Sequence, residues 1–369
     1  MGGGELKYVN EAFAENWIAP LGPNVNGLEA DIQSYAGVKN AAALSSGTGA
    51  IHLALDILGV REGDYVLVQS FTFCASVNPI EYLGATPVFI DSEEDSWNMC
   101  PDALEEALLH FSSQGTLDKV KAIIPVHLYG VPARMHEIMS LADKYGIPVV
   151  EDAAESLGAT LNCKHTGTFG EFGVYSFNGN KIITTSGGGA LISNDSEKIQ
   201  LARKLATQAR DDAPHYQHSM IGYNYRMSNI CAGIGRGQME VLNERIKQRR
   251  ANFERYLKIF EELRWNAQSQ NEGEGVFANR WLSAFYFDPE VFGPNYSEEL
   301  RLFLETLNIE SRPLWKPMHL QPVYEGCQYF GKGDNAEKIF NFGLCLPSGS
   351  NLTEEELDRI ESALFEFSK

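Results

Sequence analysis

Between residues 40 and 200, short apolar runs alternate with stretches of helical period, and this alternation restricts the fold more than any other feature of the chain. The runs Tyr65–Val68, Pro87–Ile90, Ala122–Val126, Pro148–Val150, Val174–Phe177 and Ala190–Ile192 are of strand length, and each is bounded by turn residues or by a helical stretch. Between them, Ile51, Leu55 and Leu58 recur at i, i+4 and i+7, and Ile138, Leu141 and Ala142 share one helical face. Strands that are apolar throughout are covered on both faces, so the pattern predicts βαβ units around a mostly parallel sheet, an α/β fold.

Past Met227 the texture changes. Ile230 to Leu263 is rich in helix formers and charge, holds no proline, and reads as one long helix linking two domains. Beyond it come the alternating run Phe285–Phe287, a helix over Ser297–Leu307, a loop from Pro313 to Pro322, and a last helix whose start is signalled by Thr353 with Glu356 three residues on. The expected division is a large domain over 1–245 and a small α+β domain over 246–369.

Charge and cysteine usage exclude several functions. Asp and Glu number 49 against 30 Lys and Arg, a formal net charge of −19, and no basic concentration stands out, so no nucleic-acid partner is expected. The six cysteines are scattered singly, with no CxxC pair and no histidine cluster at ligand spacing, which argues for reduced thiols and no metal site. Residues 1–7 lack the apolar core of a secretory signal, and no apolar run approaches a membrane span, so a cytoplasmic protein without membrane association is expected.

Three constellations carry chemistry. Ser45-Ser46-Gly47-Thr48-Gly49 precedes a helix, where small side chains and the helix dipole suit a phosphate; a plain glycine turn with an N-cap is the alternative. It is neither a Walker motif nor GxGxxG, so dinucleotide binding is disfavoured. Val149-Val150-Glu151-Asp152-Ala153-Ala154-Glu155 places carboxylates beyond the carboxyl end of a strand, where an Asp suits a cationic ring nitrogen or simply caps the next helix. In Asn178-Gly179-Asn180-Lys181-Ile182-Ile183, a lysine sits between a strand and a triple glycine beside apolar residues, a setting for a reactive amine, although most lysines are merely solvated.

Together, a phosphate cradle, an acid for a pyridinium and a lysine able to form a Schiff base are what pyridoxal 5'-phosphate requires of a protein. Their order and spacing resemble the DegT/DnrJ/EryC1/StrS nucleotide-sugar aminotransferases. The resemblance extends through Asn16–Pro23, Phe71–Asn78, Pro125–Gly130, Gly222–Ser228 and Arg312–Leu320. It implies an α/β fold-type I, aspartate-aminotransferase-like transferase, with a mostly parallel sheet in the large domain.

On individual positions, the resemblance implies that Lys181 bonds the cofactor and Asp152 meets its ring nitrogen. Phe73 would stack on the ring, Gly47, Thr48, Gly49 and Ser176 would hold the phosphate, and Glu155 would lie near the phenolic oxygen. Asn224 would reach the phosphate in a neighbouring subunit, which makes a homodimer with shared sites. Arg226, Arg312, Lys316 and His319 would meet the sugar nucleotide. The amino donor would be L-glutamate and the acceptor a 4-keto-6-deoxy nucleotide sugar. Within the family the chain looks most like enzymes aminating C4 of UDP-2-acetamido-2,6-dideoxy-4-ketohexose in bacillosamine-type polysaccharide pathways. A GDP-4-keto or dTDP-3-keto sugar is the close alternative, and a regulatory protein on the same scaffold is the alternative of another class.

Overall fold

The computed structural model describes residues 1–369. All six anticipated strands form, within a few residues of their expected bounds: β2 (Tyr65–Gln69), β3 (Thr86–Ile90), β4 (Val120–Ile124), β5 (Val150–Asp152), β8 (Phe172–Ser176) and β9 (Gly189–Ser193). A further strand, β1 (Asn40–Leu44), lies in the alanine-rich NAAAL stretch, which has no β-branched residue to announce it. Its last four residues are fully buried, so packing rather than propensity makes it a strand.

Strands β2, β3 and β4 pair in parallel, and β5 pairs in parallel with β8. Parallel bridges Ile123 to Val149 and Val126 to Asp152 join the two groups into one continuous layer. Only β9 runs against its neighbours β8 and β1. The carboxyl ends of β1, β2, β4, β5 and β8 therefore emerge at one edge, where an open α/β sheet binds ligands. Two short strands, β6 (Thr160–Leu161) and β7 (Lys164–His165), form a hairpin that pairs with β10 (Val276–Phe277).

The C-terminal part builds its own antiparallel sheet from β11 (Ser283–Tyr286), β12 (Arg312–Pro313) and β14 (Gly343–Leu346). Helices Leu242–Leu263, Tyr296–Thr306 and Glu354–Phe367 supply the other half of a core that includes Phe253, Phe260, Phe285, Leu300 and Leu364. The last helix starts with the reciprocal capping box expected of Thr353 and Glu356. One C-terminal strand, β13 (Tyr329–Phe330), leaves this sheet and pairs in parallel with β3.

The single helix expected over Ile230–Leu263 is two, Asn229–Met239 and Leu242–Leu263, broken at Glu240 and Val241. The first lies so close to the helix Glu5–Ala14 that a Cβ on Gly237 would fall 2.6 Å from the Glu5 nitrogen. The second starts in the same core through Leu242 and Ile246 and ends in the C-terminal one through Phe253 and Phe260. Two packing directions cannot be met by one straight rod, and the chain turns between them. No helix is long and apolar enough to cross a membrane.

Strand β5 also places Glu151 where water cannot reach it. Its carboxylate accepts from the backbone N–H groups of Gly167 at 2.8 Å, Phe169 at 2.5 Å and Gly170 at 2.6 Å, and pairs with His127 Nε2 at 3.0 Å. The Ala133 N–H donates to His127 Nδ1, which leaves the ring proton on Nε2, aimed at Glu151. Glu151→Ala would strand four donors, so urea unfolding of this variant is expected to show a loss on the order of 3–5 kcal/mol.

Candidate active site

Each strand ending at the carboxyl edge delivers part of one cluster. After β1, Ser46 caps the helix Gly47–Ile57 by accepting from the Gly49 N–H at 2.9 Å, and the N–H groups of Gly47 and Thr48 have no protein acceptor. Gly189, opening β9, allows the close approach: a Cβ there would lie 2.5 Å from the Gly47 nitrogen. Ser176, at the end of β8, lies against Gly47, since a Cβ on Gly47 would come 3.2 Å from the Ser176 Cβ. The cradle of Gly47, Thr48, Gly49 and Ser176 is thus assembled from separate parts of the chain.

Asp152 ends β5 at 5% exposure. Ser76 Oγ donates to its Oδ2 at 2.6 Å, Thr72 Oγ1 stands 2.7 Å behind Ser76, and the Ala154 N–H donates to Oδ1 at 3.1 Å. No lysine, arginine or histidine lies within salt-bridge distance of this carboxylate. A buried carboxylate held only by neutral donors has a strong demand for a cation.

Glu155 follows one turn later, buried, and accepts from the Tyr129 N–H at 2.7 Å. Tyr129 adopts the left-handed φ of 53° that aims this N–H. The Lys181 ammonium lies 3.5 Å from the other Glu155 oxygen and 4.1 Å from the centre of the Trp281 ring. Trp281 is itself buried, and its Nε1–H donates to the Asn180 carbonyl at 2.9 Å, so the residue preceding the lysine is fixed as well. Burial lifts the Glu155 carboxyl to about 7, against the pull of the Lys181 ammonium and the Tyr129 N–H and with help from the Asp152 charge.

Phe73 is 53% exposed beside this cluster, its ring 5.4 Å from that of Trp315, which also meets Tyr129 and Trp281. Asn180, Trp281 and Trp315 line a cavity of about 740 Å³ with Arg312 on its rim. The Arg312 side chain is exposed and pairs with Glu310. Lys316 is exposed and has no acidic partner. His319 is held from both sides, by Ser70 Oγ at 2.6 Å on Nδ1 and by Glu337 at 3.1 Å on Nε2.

Two other expected residues are not joined to the lysine cluster by any hydrogen bond within one chain. Asn224 is exposed on a segment bridged to Thr207. Arg226 is buried, donating to Glu29 at 2.7 Å and to the Ala43 carbonyl at 3.1 Å, contacts that tie it to the scaffold. Conversely, Ser76 and Trp281 were not anticipated. Ser76 lies within the Phe71–Asn78 stretch that carries part of the family resemblance, which is the signal that could have found it; Trp281 lies 101 residues from Asn180 in irregular chain, and nothing local marks it.

The model of the DegT/DnrJ/EryC1/StrS aminotransferase family matches residues 1–365. A Bacillus subtilis (strain 168) protein, EpsN, named as a pyridoxal phosphate-dependent aminotransferase, is 54% identical over 99% of this chain and 93% of its own. The GDP-perosamine synthase of Escherichia coli O157:H7 is 38% identical over 99% of this chain and 96% of its own. Among solved structures, a DegT DnrJ EryC1 StrS aminotransferase from Brucella abortus superposes with a TM-score of 0.91 at 28% identity, over 99% of this chain and 95% of that one.

The upward shift of the Glu155 pKa has a measurable sign. The group binds its proton more tightly folded than unfolded, so its contribution to stability is complete below its ordinary value of 4.5 and fades as pH rises through about 7. In cofactor-free protein, the stability difference between wild type and Glu155→Gln is expected to fall steadily across that interval, read from urea midpoints at successive pH values. A flat difference would count against the upward shift that burial imposes on Glu155.

Proposed function

The chain belongs to the DegT/DnrJ/EryC1/StrS family and is a pyridoxal phosphate-dependent sugar aminotransferase; on that premise we propose that Lys181 is its reacting amine and that a 4-keto-6-deoxy nucleotide sugar is its acceptor. The observation carrying this reading is the convergence of the Lys181 amine, the Glu155 carboxyl lifted to about 7 and the cation-seeking Asp152 at one sheet edge. The donor set fits the cofactor. A neutral-donor carboxylate suits a protonated ring nitrogen, and two unpaired N–H groups at a helix start suit a phosphate.

When bound, pyridoxal phosphate supplies an aldehyde that exchanges amines and a ring that withdraws electrons from the carbon bearing the nitrogen. The chain's residues set up the rest. Asp152, oriented by Ser76, keeps the ring nitrogen protonated. Gly47, Thr48, Gly49 and Ser176 grip the phosphate, and Phe73 covers the ring face. Glu155 takes or returns a proton with little cost near neutrality, and the Trp281 face steadies the Lys181 ammonium between turns. Lys181 Nζ would take the proton from the donor's α-carbon in one half-reaction and supply one to the sugar carbon in the other, and because the donor's oxo acid leaves before the keto sugar is aminated, ping-pong kinetics would follow.

The donor is L-glutamate on this reading, and the working unit is a homodimer in which Asn224 of one copy reaches the phosphate held by the other. Residues 1–245 act as the cofactor domain and 246–369 as the small domain. Arg226, Arg312, Lys316 and His319 contribute to the nucleotide-sugar side, His319 and Arg226 by shaping the scaffold that their hydrogen bonds already tie together. The preferred acceptor is UDP-2-acetamido-2,6-dideoxy-4-ketohexose, on the likeness of the Asn178–Gly189 and Trp315–Leu320 stretches. End-to-end similarity to a GDP-perosamine synthase favours a second reading, a GDP-4-keto sugar.

Incubation with L-glutamate and a panel of UDP-, GDP- and dTDP-keto sugars, read by product mass, is expected to show amination of the UDP-4-keto sugar; amination of the GDP sugar alone selects the second reading. Lys181→Ala is expected to fold and to bind the cofactor without turnover, and borohydride is expected to fix the cofactor to the peptide carrying Lys181. Near-normal turnover by that variant, or labelling of another peptide, refutes the assignment.

A further inference from the structure

Lys181 opens onto a second cavity, of about 570 Å³, that the reading above does not use. Its wall carries Lys181, Arg245 and Arg249 and no aspartate or glutamate, a concentration of positive charge in a protein whose net charge is −19. Arg249 is the unusual member. It is 8% exposed, lies within salt-bridge distance of no carboxylate, and its guanidinium makes a single hydrogen bond in the protein, from Nη1 to the Trp281 carbonyl. Its Nε is fully buried with no partner. Burial without a counter-charge draws the guanidinium down to about 10.

Arg245 precedes Arg249 by four residues on the helix Leu242–Leu263, so the two side chains share a face one turn apart. Arg245 donates only to neutral oxygens, Gln248 Oε1 and the Met1 carbonyl, both at 2.9 Å. Like charges at this spacing disfavour a helix, and an uncompensated buried charge costs more. Neither charge meets a counter-charge within the protein. Both are relieved by an anion in the cavity, and a guanidinium matches a carboxylate with two parallel N–H donors.

We propose that this cavity receives the carboxylates of the amino donor, with Arg249 and Arg245 selecting a dicarboxylic amino acid whose α-amine is thereby held beside Lys181. The inference rests on Lys181 being the reacting amine, but its test does not. Calorimetric titration of cofactor-free protein with glutarate, a diacid without the amine, is expected to show saturable binding that weakens about tenfold or more in Arg249→Gln and in Arg245→Gln, while titration with UDP is unchanged by either. Gln at 249 retains an N–H for the Trp281 carbonyl; if that variant fails to fold, Arg245→Gln, at a partly exposed position, reads the same site. In the loaded enzyme the glutamate KM is expected to rise by a similar factor while the KM for the keto sugar holds. Absence of glutarate binding, equal binding by wild type and variants, or loss of UDP rather than glutarate affinity overturns the proposal. Glutarate binding that depends on both arginines, in a protein that proves unable to transaminate, would sink the enzymatic reading and leave this cavity standing.

Discussion

Parallel strands place all their carboxyl ends on one side, and nearly every group of the candidate site depends on that geometric fact. The N–H groups at Gly47 and Thr48, the Asp152 carboxylate and Ser176 leave three different strands within one small region because β1, β5 and β8 point the same way. The antiparallel β9 fits among them only because it begins with glycines, which bring Gly189 into contact with Gly47. A side chain at Gly189 would separate the cradle from the sheet that supports it.

The electrostatics follow from the same placement. Strand ends are covered by the succeeding loops, so Glu151, Asp152 and Glu155 lose water within one turn of chain. The three carboxylates then diverge according to what meets them. Glu151 is saturated by backbone N–H groups and a histidine and is structural; Asp152 is held by neutral donors; Glu155 faces an amine and sits close to neutrality. Near-identical side chains thus acquire separate capacities from their surroundings alone.

The strands of the main sheet were legible because buried parallel strands are uninterrupted apolar runs, and β1 was not because alanine carries no strand preference. Lys181, Asp152 and the Gly47–Gly49 turn could be singled out because each sits beside a local signal, a strand end or a helix start. Trp281, Tyr129 and Arg249 were not, because their roles come from distant chain segments meeting in space: an indole N–H on Asn180, a left-handed backbone aiming an N–H at Glu155, a guanidinium beneath Trp281. The break at Glu240 was hidden for a related reason, since helix propensity runs through it and only the two packing directions require the turn.

Strand β13 gives the C-terminal region a mechanical character. That region is tied to the remainder through the helix Leu242–Leu263, through the pairing of β10 with β6 and of Tyr329 and Phe330 with β3, and through Trp281 on Asn180 and His319 on Ser70, so it is fastened at several places rather than hung on one linker. A body fastened at several separate points does not swing away as a unit. The walls that this region contributes beside Lys181, Trp281 and Trp315 among them, are therefore held in place from several directions at once.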